Sequence, residues 1–182
     1  MTPKHALTLT AYLQSTKPPW TSLLVVTGGQ RAESLMHPPT DFVLRIIQGA
    51  KCQTTAGLLT ECARALDFPD YFGHNWDAFE ECLIDLEWLE AKGYVLLITD
   101  AGCVLHDDEE EYETFLEILR NAGEAWGTGQ AGTGTRRATP FHVLFAVSER
   151  QKAKRAHWGM GEIHAELTRE PGIQRRTSLK RT

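Results

Sequence analysis

The chain has 182 residues, 42% of them hydrophobic and 24% charged, with a net charge of −5. That is enough apolar material for one domain with extensions and a real core. It leaves no run as long as a membrane-spanning helix, and residues 1–14 (MTPKHALTLTAYLQ) lack the apolar stretch of a secretory leader, so a cytoplasmic location is expected.

Residues 1–41 read as an N-terminal extension. Residues 22–27 (SLLVVT) form a short apolar run closed by Gly28 and Gly29, which predicts a strand that adds to, or covers, the edge of a sheet. Residues 42–47 (FVLRII) predict the first strand of the main domain. Thr54 or Thr55 then caps a helix whose inner positions are Leu58, Leu59, Cys62, Ala65 and Leu66.

Residues 68–88 (FPDYFGHNWDAFEECLIDLEW) predict a turn followed by a helix with two unlike faces. Pro69, Asp70 and Gly73 suit the turn, Asn75 suits the N-cap, and Asp77 lies where a carboxylate complements the helix dipole. At 3.6 residues per turn, Trp76, Phe79, Cys82, Leu83 and Leu86 share the face to be buried. Asp77, Glu81, Ile84 and Trp88, spaced i, i+4, i+7 and i+11, share the opposite stripe. Gly93 is expected to end the helical region.

Residues 94–99 (YVLLIT) are apolar on consecutive positions, the pattern of a strand buried on both faces of a parallel sheet. Acidic residues 107–111 open the next helix, with Tyr112, Phe115, Leu116, Leu119 and Ala122 inward. Residues 127–135 read as a Gly/Thr loop and 140–147 (PFHVLFAV) as the last buried strand. Alternating strands and helices predict an α/β domain over residues 42–147. Its small parallel sheet has three strands, or four, and is covered by helices. Residues 148–182 read as a basic, flexible tail with a short helix near 162–167. Few apolar residues anchor it, Trp158 being the best candidate, so its removal is expected to leave the domain folded.

Charge is unevenly placed. Residues 67–117 hold sixteen Asp and Glu against one Lys, Lys92, whereas residues 148–182 hold nine Lys and Arg against four Glu. A concentrated negative surface repels nucleic acid and attracts basic proteins, although acidic helix faces also serve solubility alone.

The segment 69–83 (PDYFGHNWDAFEECL) resembles the barstar-like, or barnase-inhibitor, family. Pro69, Asp70, Tyr71, Phe72, Gly73, Asn75, Asp77, Ala78, Phe79, Glu81, Cys82 and Leu83 fit its pattern, and weaker similarity extends over about residues 43–147. The resemblance implies the same α/β arrangement and an intracellular, immunity-type inhibitor of a basic, extracellular-type ribonuclease. Tyr71, Gly73, Asn75, Asp77, Glu80, Glu81 and Trp88 would form the partner-binding face. Two positions depart from the family pattern. Glu80 stands where the family's best-known member has Trp, and Glu81 stands for its key Asp. A further Glu from the later helix falls at Asn121, with Glu117 one turn earlier as a substitute.

Other chemistry has weaker signals. Gly127, Gly129 and Gly132 fit GxGxxG, but a helix precedes and a strand follows, the reverse of a dinucleotide site. Asp77 and Glu81 could be read as an acid/base pair, yet one exposed helix face lacks the required cleft. His74 reads as a surface turn residue, His106 as part of a solvated helix start and His142 as a core or edge residue. Four cysteines without CxxC predict reduced thiols, and Cys103 with His106 lacks the rest of a zinc quartet. No catalytic residue, metal or cofactor is expected, and no membrane partner. The alternative to an inhibitor is a regulator whose basic tail touches nucleic acid weakly; an enzyme is the least supported reading.

Overall fold

The doubly apolar run at 94–99 sits where its composition requires, inside a sheet covered on both faces. The structure is a computed structural model that describes residues 9–131 and 136–164. Its strands are β1 (Thr21–Val26), β2 (Phe42–Gln48), β3 (Gly93–Thr99), β4 (Phe141–Ser148) and β5 (Gly161–His164). They form one sheet in the order β2-β3-β4-β1-β5, and every pairing is parallel. The helices are α1 (Leu9–Leu13), α2 (Thr55–Leu66), α3 (Trp76–Asp85), α4 (Tyr112–Thr128) and α5 (Glu149–Lys152). The chain is therefore an α/β protein with a helix-flanked parallel sheet of five strands, where the sequence suggested three or four.

Alternate residues of the central strands feed two cores, as the period of two demands. Leu96, Ile98, Val143 and Phe145 face α2, α3 and α4, with Leu66, Phe79, Leu83, Phe115 and Leu119. Val95, Leu97, Leu144 and Ala146 face the other way, against Leu9, Tyr12, Leu13 and Met36. The two N-caps form as the side chains dictate. Thr54 accepts from the Gly57 amide and Asn75 from the Ala78 amide.

Two elements differ from expectation. The 22–27 run is not an edge strand: β1 lies between β4 and β5, in register with Thr21 opposite Val143 and Ser22 opposite Gly161. Trp20, just before it, packs on Gly123 of α4, where a Cβ would collide with the indole, so the helix approaches only because that position carries no side chain. Residues 161–164 form a strand rather than the start of a helix, because β1 offers them an open ladder. Trp158, only 7% exposed, belongs to the main core. Residues 149–164 thus pack on the domain, against the expectation that everything after 148 is dispensable for folding.

Candidate functional site

α3 is built to present one face and bury the other. Asn75 caps it, and the Asn75 side-chain amide also donates to the Gly73 carbonyl at 3.3 Å. A Cβ on Gly73 would come within 3.0 Å of the Asn75 side-chain nitrogen, so a larger residue there would push the capping amide aside by a few tenths of an ångström. Phe79, Cys82 and Leu83 are buried, while Trp76 is half-buried and donates from Nε1 to Glu111 Oε2 at 2.9 Å.

The outward face carries Asp77, Glu81 and Ile84 as the wheel predicts. Together with Tyr71, Phe72, Ala78, Glu80, Cys82 and Asp85 they line an open groove of about 620 Å³. Tyr71 is 75% exposed, an unusual setting for a large aromatic. Asp77 and Glu81 are exposed, and among the described residues neither has a salt-bridge partner. Partial desolvation, with the nearby Cys82, Asp85 and Glu87 adding to it, raises the Tyr71 phenol above its ordinary value, so the ring stays neutral. Burial, reinforced by Asp85 and Glu81, likewise raises the Cys82 thiol and keeps it protonated and unreactive. All four cysteines are free.

The structure therefore brings Tyr71, Asp77, Glu80 and Glu81 to one groove, with Gly73 and Asn75 exposed in the loop at its end. Trp88 is elsewhere, and its expected place on the outward helix stripe is corrected. α3 ends at Asp85 because Leu86 turns left-handed, at φ 43. Two side chains from later in the chain fix that end: Trp126 Nε1 donates to the Leu83 carbonyl at 2.8 Å, and Arg136 Nη1 to the Asp85 carbonyl at 2.7 Å. These are the carbonyls a helix end leaves unpaired. Trp88 then folds inward, donating from Nε1 to the Leu66 carbonyl at 2.9 Å and meeting Phe68 edge-on, ring centres 5.9 Å apart.

Sequence reasoning missed the role of Asn121, whose Nδ2 donates to Glu80 Oε1 across the two helices at 2.8 Å. The position was visible only as a departure from a family pattern. Arg136 gave no signal, since its partners are about fifty residues away.

Other candidate chemistry stays apart. His74 is exposed at φ 49 with its ring 4.7 Å from Phe72. His106 is exposed, 3.9 Å from Glu109. His142 is buried, with Nε2 2.8 Å from the Ser15 carbonyl. Of the GxGxxG glycines, Gly127 lies in α4, Gly129 caps it and Gly132 is outside the described residues. Among the described residues, no three His, Cys, Asp or Glu side chains are grouped to hold a metal ion, and no helix is long and apolar enough to cross a membrane.

The family model for Barstar (barnase inhibitor) matches residues 42–146, a span that contains the groove and all of α2 to α4. No curated protein matches the chain.

Proposed function

The chain belongs to the barstar (barnase inhibitor) family, and from that membership we propose that it is an intracellular inhibitor of a basic, extracellular-type ribonuclease. The observation that carries this reading is the pairing of Tyr71, 75% exposed, with the exposed carboxylates of Asp77 and Glu81 on one rigid helix face. A ribonuclease active site gathers Arg, Lys and His to hold phosphate. Carboxylates held at fixed spacing can take the phosphate's place through charge-assisted hydrogen bonds. The exposed aromatic supplies the apolar contact that hot spots require. The role is to occupy a catalytic site, not to provide one.

Such carboxylates add little to folding stability but act strongly on association with a cationic surface. Barnase and barstar are themselves a known case of such electrostatically steered association. The test is stoichiometric inhibition of RNA hydrolysis by barnase and by other small basic bacterial ribonucleases. At least one should be inhibited, with association slowing as salt rises. Asp77→Ala and Glu81→Ala should each weaken inhibition about tenfold or more, while the melting temperature barely moves. Glu81 should matter more for affinity, because Asp77 also serves the helix N-terminus. Inhibition that survives both substitutions unchanged would reduce the acidic face to a solubility feature.

A further inference from the structure

Among the described residues, three side-chain bonds tie α3 to α4 and to Glu111 just before it. Trp76 to Glu111 and Trp126 to Leu83 involve indoles packed in the core. The third, Asn121 Nδ2 to Glu80 Oε1 at 2.8 Å, lies at the surface, with Asn121 exposed and Glu80 half-buried. A surface bond between two such side chains contributes little to stability. Its physical effect is on orientation. A glutamate loses substantial rotamer freedom when it is fixed, and here the amide fixes one carboxylate oxygen. Glu80 Oε2 has no hydrogen-bond partner among the described residues, and Glu80 lines the same groove as Tyr71, Asp77 and Glu81.

The choice of an amide matters. A Lys or Arg at 121 would also hold Glu80 but would cancel its charge. Asn121 orders the carboxylate and leaves the charge intact. Three carboxylates within five residues of one helix repel one another, and none is neutralised by a salt bridge among the described residues. A complementary cationic surface relieves that repulsion.

We propose that Asn121 is a positioning residue that presets Glu80 as a third carboxylate of the binding face. The partner it fits carries a basic side chain, not an apolar one, opposite the junction of α3 and α4. The inference rests on the inhibitor reading, because it names what that same face selects.

The test uses the full chain against barnase and the same set of small basic ribonucleases, with Glu80→Gln, Asn121→Ala and the double variant. For a ribonuclease that the wild-type chain inhibits, Glu80→Gln should weaken inhibition about tenfold. Asn121→Ala should weaken it about three- to tenfold, the effect of ordering one side chain on binding. In the Glu80→Gln background the Asn121→Ala effect should vanish, since Asn121 acts through the carboxylate. Melting temperatures of the single variants check that they fold. An equal Asn121→Ala effect in both backgrounds overturns the proposal, because that is what a general loosening of helix packing would give. No effect of either substitution, while Asp77→Ala and Glu81→Ala still weaken inhibition, overturns it and leaves the inhibitor reading standing. If the wild-type chain inhibits none of the ribonucleases, both readings fail.

Discussion

The Arg155 guanidinium lies 3.8 Å from the centre of the Tyr112 ring and 5.5 Å from that of Trp158. Its Nη2 also donates to the Val104 carbonyl at 2.7 Å. One cation thus fastens the segment before β5 to the start of α4 through the Tyr112 ring and to the turn at Val104 through a backbone oxygen, while it also stacks on Trp158 of its own segment. Burial pushes the Tyr112 phenol up to about 12 despite the nearby Arg155, so the ring under the guanidinium stays neutral.

This fastening gives the first prediction. Trp158→Ala should destabilise the fold by about 3–5 kcal/mol, the range for emptying a buried aromatic site. Removal of residues 150–182 takes away Trp158, Arg155 and β5 together and should lower the melting temperature at least as far. A truncated chain that melts with the full one in a thermal scan would show that the strap adds nothing.

Trp88 should behave as a core residue. Trp88→Phe keeps the packing on Phe68 but leaves the Leu66 carbonyl without its donor, at a cost of about 1 kcal/mol. Trp88→Ala should cost about 3 kcal/mol. Urea denaturation separates the two. An unchanged midpoint for Trp88→Ala, with weaker ribonuclease inhibition, would return Trp88 to the binding face.

Glu61 is 3% exposed and guards the outer strand of the sheet. Its carboxylate accepts from Arg64 at 2.6 and 2.9 Å and from the Gln48 amide, at the end of β2, at 3.0 Å. The Arg64 bond, against opposing burial, holds the carboxyl below its ordinary 4.5. Because the folded value is depressed, the stabilisation is present above the unfolded value and is lost as pH falls through the folded one. Glu61→Gln should cost about 1–3 kcal/mol at neutral pH and flatten the acid limb of the stability profile. A melt that shows wild-type pH dependence below 4.5 in this variant would place the acid sensitivity elsewhere.

His142 should add a second pH-dependent step. Burial holds its pKa below the ordinary 6.5, partly offset by the Ser15 and Pro19 carbonyls. Nδ1 has no hydrogen-bond partner among the described residues, and the Tyr12 ring packs 4.4 Å away. The folded state favours the neutral imidazole, so the unfolded chain binds the proton first. Stability should therefore fall as pH drops below 6.5 and stop falling once the folded value is passed. His142→Gln can keep a donor for the Ser15 carbonyl and should lose this step. Melting temperatures across pH 5–8 check it, and an identical slope in the variant would clear His142 of the effect.

Elements whose cause is local are legible in the order of residues alone. The apolar run at 94–99, the caps at Thr54 and Asn75, and the stripe of Asp77, Glu81 and Ile84 each depend on residues within a turn or two. Periodicity and capping chemistry read such features directly. The fold class followed from the alternation of strands and helices, and the acidic segment 69–83 pointed to the groove. Where α3 stops is a matter of tertiary contacts. The Leu83 and Asp85 carbonyls find their donors in Trp126 and Arg136, some forty to fifty residues away, and no local rule contains them. That remote capping turns Trp88 inward, although the helical wheel had placed it outward. The same holds for β5, whose four residues GEIH carry one apolar side chain and become a strand only because β1 leaves an open ladder beside them. Asn121 and Glu80 are forty-one positions apart and meet because α3 and α4 lie side by side on one face of the sheet. Contacts of this kind are set by packing, and the spacing of residues along the chain does not record it.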